Sequence, residues 1–235
     1  MRKYRGTQKE EFVSYIDYLY PNQIWLDKDT VNSRYVFLFF KRIIDIVGSI
    51  SGLILTLPLM IYVGYRIRKE EPESPVFFSQ IRVGKNGELF KMYKFRSMCM
   101  DAEEKLSELL DQNEVEGAMF KMKEDPRVTK IGRVIRAKSI DEIPQLWNVL
   151  KGDMSLIGPR PPLLREVEEY TEYDLQRLYV KPGCSGLWQV SGRNDVSFHE
   201  MVDLDLEYIS NQNILYDIKI MIKTIWVVIK PNGAY

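Results

Sequence analysis

Apolar residues are unevenly spread along the chain. The longest apolar run, residues 46–65 (IVGSISGLILTLPLMIYVGY), holds twenty residues without a formal charge. A helix of that length can cross the hydrocarbon core of a bilayer. Pro58 lies inside it, where it removes a backbone hydrogen bond and bends a helix. Lys41 and Arg42 precede the run, and Arg66, Arg68 and Lys69 follow it. Basic residues on both flanks give no preferred orientation. Asp45 stands at the entrance, where burial in lipid is costly. Three arrangements stay open: a helix that dips into one leaflet and returns at Pro58, a kinked spanning helix, or a buried core helix. Forty-five residues precede the run and no small-residue cleavage site follows it, which does not fit a signal peptide. A second apolar stretch, 214–230 (ILYDIKIMIKTIWVVIK), is punctuated by Asp217, Lys219 and Lys223. With Trp226 it suits a helix lying among lipid headgroups, or a core helix.

Between these runs the pattern is mixed. Val76–Phe78 and Glu88–Tyr93 flank Gly84-Lys-Asn-Gly87, a hairpin signal. Asp101–Gln112 predicts a helix with Asp101 as cap, Glu104 completing a capping box, and a Leu106, Leu109, Leu110 stripe. Shorter helices are expected at Asp141–Leu150, Glu166–Leu178 and Phe198–Ser210, joined by the Pro- and Gly-rich loops 158–162 and 181–186. Helices dominate, with one small strand region and no P-loop or Rossmann glycine pattern.

The length of 235 residues suits one domain or two small ones, enough for a real core. Equal numbers of basic and acidic residues, 33 each, argue against general nucleic-acid coating. Cys99 and Cys184 form no metal-type spacing or disulfide framework, and the single histidine excludes a multi-histidine metal centre. Charge is nevertheless segregated. Residues 81–96 carry five bases against Glu88, residues 101–117 seven acids against Lys105, and residues 121–138 seven bases against two acids. Basic blocks around an acidic helix suggest a local anion site, or simply a solvated face.

Asp141 and Glu142 are adjacent carboxylates with bases nearby. Ser139 and Glu142 have capping-box spacing, and Asp141 could itself cap a helix with Pro144 in its first turn. In either frame the helix dipole and Arg136 would keep the carboxylates ionised, as a nucleophile or Mg²⁺ ligand requires. Arg160 sits among Pro159, Pro161 and Pro162, a way to pre-place a bidentate phosphate donor, or else a PxxP adaptor ligand. Arg193 is a second loop guanidinium. His199 reads as an ordinary surface or capping residue.

From Lys41 to Tyr235 the sequence resembles the bacterial sugar transferase family, the monotopic phosphoglycosyl transferases. The blocks are Lys41-Arg-Ile-Ile-Asp45, Pro75–Gly84, Lys94-Phe-Arg-Ser-Met98, Asp125-Pro-Arg-Val-Thr129, Ser139–Gln145, Asn148–Ser155, Gly158-Pro-Arg-Pro161, Lys181-Pro-Gly183 and Gly186–Asn194. The resemblance implies transfer of a sugar-1-phosphate from a UDP-sugar to a polyprenyl (undecaprenyl) phosphate, releasing UMP. This would be the first membrane step of exopolysaccharide, capsule or O-antigen synthesis. Asp141 would attack the sugar-bearing phosphorus and carry a covalent phospho-sugar; Glu142, with Asp141, would bind Mg²⁺. Lys94, Arg96, Arg136, Arg160 and Arg193 would contact phosphates, and Asp217 would be a further acidic site residue.

The resemblance also implies an α+β, mostly helical fold. Residues 1–40 would be an extension, 41–70 a re-entrant membrane helix bent at Pro58, and 71–235 a catalytic domain with a small β-hairpin and amphipathic interfacial helices. The domain would sit on the cytoplasmic face of a bacterial inner membrane, contacting lipid and no nucleic acid. A homodimer and other glycan-assembly proteins are conceivable partners. The family's usual Ser-Pro at the kink is Leu57-Pro58 here, and its Ser-Pro-Gly-Pro before the first strand is Glu73-Ser-Pro75. Residues 1–34 match no pattern. The text 186–193 is like that of members handling glucose or galactose. Two alternatives are a spanning phosphotransferase without a covalent intermediate and a non-catalytic scaffold of a polysaccharide assembly complex.

Overall fold

A computed structural model describes residues 23–109, 122, 125–191 and 196–229. Its elements, in order, are α1 (Lys28–Asn32), α2 (Tyr35–Glu70), β1 (Phe77–Val83), β2 (Leu89–Phe95), α3 (Ala102–Leu109), α4 (Lys130–Ala137), a 3₁₀ turn (Ile140–Glu142) and α5 (Gln145–Lys151). Next come β3 (Ser155–Ile157), α6 (Leu164–Val167), α7 (Glu172–Leu175), a 3₁₀ turn (Gln176–Tyr179), β4 (Gly183–Ser185), α8 (Leu187–Ser191), α9 (Phe198–Asn211) and α10 (Ile214–Ile229).

The apolar run lies in the 36-residue α2, about 54 Å of helix at the standard rise. It starts at Tyr35 rather than Lys41, so the last residues assigned to the extension are helical. The helix is continuous through Pro58. One face packs on the globular part before and after the proline. Asp45 accepts bonds from the Ser155 hydroxyl (2.9 Å) and the Leu156 amide (2.8 Å). Gly48 and Gly52 admit the Leu156 and Leu146 side chains, whose methyls would clash with a Cβ at either glycine. Past Pro58, Val63 and Ile67 join a core with Phe95, Ile131 and Ile135. At the end of the helix the Glu70 carboxylate accepts from the amides of Lys130 and Ile131 (2.7 and 2.9 Å), satisfying orphan donors at the start of α4. The contacting positions 41, 45, 48, 52, 60, 63, 67 and 70 keep helical three–four spacing. The opposite faces leave Phe39, Val47, Ile54, Leu55, Ile61 and Tyr65 exposed.

The Thr56 hydroxyl bonds back to the Gly52 carbonyl at 2.6 Å. That is the neighbouring turn, not the Ile54 carbonyl which Pro58 leaves unpaired.

Strands β1 and β2 pair antiparallel from Phe77↔Phe95 to Val83↔Leu89. They are joined by a five-residue loop in which Asn86 and Gly87 take positive φ (57° and 85°). A second, two-stranded sheet is parallel, pairing Ser155 with Gly183 and Ile157 with Ser185. Three-residue strands so far apart in sequence leave no alternating signal. The sheet closes on glycine: a Cβ on Gly183 would stand 2.1 Å from the Gly158 nitrogen, and one on Gly186 2.4 Å from the Gly158 carbonyl.

The long helix expected over Glu166–Leu178 breaks at Thr171, whose hydroxyl and Asp174 form a capping box that starts α7 anew. Ser197 and Glu200 do the same for α9. His199 is exposed in the first turn of α9. In α3, Asp101 pairs with Lys105 at 2.7 Å; the predicted Leu106 and Leu110 contacts lie outside the described side chains. α10 buries Asp217 and Ile220 and exposes Leu215, Ile218, Ile222, Ile225 and Trp226.

The segment 23–34 belongs to the fold. The Leu26 amide donates to Gln176 (2.6 Å), Trp25 meets Tyr173 edge-on, Val31 enters the core, and Arg34 donates to the Ser210 carbonyl.

Candidate active site

Three supports aim side chains at one place. α4 starts on Thr129, whose hydroxyl accepts from the Gly132 amide (2.9 Å), and runs to Arg136 in its last turn. Gly132 lies so close to the Ser97 carbonyl that a Cβ would stand 1.9 Å from that oxygen, so only glycine fits. After α4 the chain turns at Ser139, a non-glycine residue in the left-handed region (φ 53°). Such an outlier persists only where its surroundings hold it. The turn Ile140–Glu142 follows directly. Pro144 then starts α5, where the amide it lacks is one of the unpaired ones anyway.

The capping box does not form: the Ser139 side chain makes no capping bond. Glu142 instead faces β2 and takes a 2.7 Å ion pair from the Lys94 ammonium. β2 is fixed to α5 by Asn148, fully buried, which accepts from the Tyr93 amide and donates to the Lys91 carbonyl. α2 is tied to the far end of α5, where the Arg42 guanidinium donates to the carbonyls of Val149 (2.6 Å) and Leu150 (2.8 Å).

The electrostatics of the two carboxylates differ. Asp141 is buried, and burial pushes its carboxyl up to about 6, against the pull of Lys94. It is therefore mainly ionised at neutral pH but titrates just below it. Glu142 keeps 41% of its side chain exposed. Burial would raise its carboxyl, but Lys94 foremost, with Arg160 and Arg82, holds it below the ordinary range. The sequence expectation that both are simply ionised is refined: one carboxylate is poised, the other held charged.

Arg82, which the sequence reading did not single out, belongs to this cluster. It is 6% exposed on β1 and donates to the Pro161 carbonyl (2.9 Å) and to Gln80 (2.8 Å). Among the described residues its Nε has no partner. Burial and then the neighbouring Arg160 depress its guanidinium to about 10. Only the strand register, which puts position 82 on one face with 80 and 78, hinted at this role.

Lys94, Arg136, Arg160 and Arg82 thus act on the carboxylate pair. Arg96 is turned elsewhere: it donates to the Pro75 carbonyl (3.1 Å) and lies over the Phe78 ring. Asp217 is tied into a separate joint, accepting from Lys41 (2.6 Å) and the Tyr208 hydroxyl (2.7 Å), where α10 and α2 meet. Arg193 lies outside the described residues. Pro159, Pro161 and Pro162 are buried. Their carbonyls are occupied by the Gly183 amide, Arg82 and the Val83 amide, so this segment cannot serve as a surface PxxP ligand.

Among the described residues no group of three or more His, Cys, Asp or Glu side chains converges on a metal position. Mg²⁺ is commonly held by one or two carboxylates together with substrate phosphates. Two neighbouring carboxylates, Asp141 and Glu142, fit that mode and not an all-protein cage.

The bacterial sugar transferase family model matches residues 36–231. Among curated proteins, the chain is 50% identical over 202 residues to "Galactosyl transferase CpsE" of Streptococcus agalactiae, covering 86% of this chain and 44% of that protein. It is 49% identical to "Undecaprenyl-phosphate galactose phosphotransferase" of Salmonella typhimurium, covering 84% and 42%. It is 39% identical to "Exopolysaccharide production protein ExoY" of Rhizobium meliloti, covering 83% and 88%. The chain thus spans less than half the length of the first two relatives.

Proposed function

This chain belongs to the bacterial sugar transferase family, and we propose that it moves a sugar-1-phosphate from a UDP-sugar to undecaprenyl phosphate at a membrane surface. The observation that carries the reading is the paired carboxylates inside four cations: Lys94, Arg136, Arg160 and Arg82. Two anionic substrates must meet there, and fixed cations offset their charge without reorganising.

The Asp141 carboxylate attacks the sugar-bearing phosphorus of the donor. The bond between the two phosphates breaks, and UMP leaves with the electron pair. A phosphate oxygen of undecaprenyl phosphate then attacks the same phosphorus and the Asp141 carboxylate departs, giving the diphosphate-linked sugar. Burial makes Asp141 a better nucleophile than a fully solvated carboxylate, while Lys94 keeps it ionised near neutrality. Glu142 and Asp141 would hold Mg²⁺, which when bound offsets donor phosphate charge. Arg82 and Arg160, which both act on Glu142, receive phosphate oxygens. Names of relatives point to galactose as the sugar.

The membrane arrangement follows from α2. Segments on both sides of Pro58 pack on one domain. A helix crossing the bilayer would put its ends on opposite sides, so this packing favours a helix that enters one leaflet and returns, with both basic flanks in the cytoplasm. The exposed apolar faces of α2 and α10 then meet lipid, and Trp226 suits the headgroup layer. A non-catalytic scaffold is disfavoured, since the carboxylates and the cations around them are intact and the PxxP segment is buried.

The test is UMP release from a panel of UDP-sugars in vesicles with and without undecaprenyl phosphate, using wild type and Asp141→Asn. Multiple turnover that needs both substrates and is lost in the variant is expected. Wild-type release by Asp141→Asn would remove Asp141 from the reaction.

A further inference from the structure

A second cationic site lies away from the carboxylates, where α2 meets the end of α5. Gly152 terminates α5 with a positive φ of 96°, so it carries no side chain for conformational reasons. Two cations stand over it. Measured from the point where a Cβ would stand, Arg42 Nη2 is 3.4 Å away and Lys181 Nζ 3.5 Å away. Like charges this close repel unless something anionic lies between them. The two carboxylates that act on Lys181 through space keep their hydrogen bonds elsewhere, Asp45 with Ser155 and Leu156, Asp153 with Lys151 and Asn148. Arg42 spends two nitrogens on the Val149 and Leu150 carbonyls, which fixes its guanidinium and leaves other N–H groups for a ligand. Among the described residues Lys181 has no hydrogen bond or ion pair, and it is exposed, on a backbone pinned by Pro182 and β4. Desolvation by the surrounding protein and then Arg42 lower its ammonium pKa, with Lys85 adding to them and Asp45 and Asp153 only partly opposing, an unfavourable arrangement that an anion would relieve.

The position selects the ligand. Arg42 lies four residues before the uncharged run of α2, at the level where a helix entering lipid passes the headgroups. We propose that Arg42 and Lys181 clasp the phosphate of a membrane lipid over Gly152, separate from the phosphates handled at Asp141. The shared chemistry is a phosphate ester on an apolar tail. It comes from an isoprenoid monoester, making the clasp a docking point for the acceptor, or from a glycerolipid diester, making it an anchor.

The inference rests on the membrane-associated reading above, so its test reads binding and not turnover. The full chain in neutral detergent, carrying Asp141→Asn and without UDP-sugar, is titrated with farnesyl phosphate, dihexanoyl phosphatidylglycerol and the uncharged control farnesol. Farnesyl phosphate or the phosphatidylglycerol should bind well above farnesol. Lys181→Gln should weaken that binding about tenfold, the effect of losing one charge-assisted hydrogen bond. Lys181→Arg should restore most of it, and thermal midpoints should be unchanged because Lys181 is exposed. Loss confined to the isoprenoid monoester assigns the clasp to the acceptor; loss for the glycerolipid assigns it to anchoring. Equal binding of both phosphates by wild type and Lys181→Gln would overturn the proposal. That result would leave the carboxylate chemistry untouched.

Discussion

Replacing Lys94 by Met should move the pH dependence of the reaction upward. The Lys94 ammonium is 2.7 Å from Glu142 and is the strongest influence holding the Asp141 carboxyl down against burial. Its hydrogen bond goes to Glu142, so it acts on Asp141 through space, as a nearby charge. With 26% of the Lys94 side chain exposed, solvent screening sets that influence at about 1.4 kcal/mol. That is about one pKa unit. The active form of Asp141 is ionised and is populated above its pKa. Wild-type rate should therefore rise with pH through about 6, and the variant's through about 7. At pH 6 the ionised fraction falls from about one half to about one tenth, roughly a fivefold loss beyond any change in the plateau. At pH 8 both are almost wholly ionised, so only any difference in plateau remains. The assay is initial UMP release from pH 5 to 8.5 at saturating donor, normalised to each plateau. Superimposable normalised profiles would refute the claim that Lys94 sets the ionisation of the nucleophile.

Glu142→Gln should raise the Mg²⁺ concentration needed for half-maximal rate at least about tenfold, the usual penalty for disturbing a metal site; an unchanged Mg²⁺ titration would make Glu142 a partner of Lys94 only. Arg160→Lys should lower kcat/KM about tenfold or more with the thermal midpoint unchanged, because an ammonium cannot reproduce a guanidinium fork; a parallel loss of stability would mark Arg160 as structural. Single cysteines at Thr30 and Glu73, in a chain without Cys99 and Cys184, should both be labelled only from the cytoplasmic side, whereas labelling from opposite sides would establish a spanning helix.

Much of the architecture was legible because local chemistry was strong. The uncharged run with Pro58 and the Asn86-Gly87 turn each announce an element without tertiary help. The adjacent carboxylates were visible too, but their use was not. Ser139 and Glu142 have capping-box spacing, and only the left-handed Ser139 and the approach of Lys94 from β2 decide against it. Arg82 was hidden because burial of a charge depends on what packs over it, here the Pro161–Pro162 segment. Asp217 entered through the resemblance alone, and its partners Lys41 and Tyr208, which join α10 to α2, come from segments that no local pattern connects. The parallel sheet and the docking of residues 23–34 depend on contacts between distant segments, which periodicity does not encode.

The proposed mechanism turns on a covalent intermediate at Asp141. Its most direct measurement is the intact mass of the purified protein after incubation with a UDP-sugar and Mg²⁺ in the absence of undecaprenyl phosphate, followed by peptide mapping. A mass gain of one sugar phosphate is expected, carried by the peptide containing Asp141, removed on adding undecaprenyl phosphate and absent in Asp141→Asn. UMP release that begins only when the acceptor is added, with no adduct formed at any time, would contradict it and require direct transfer between the two substrates.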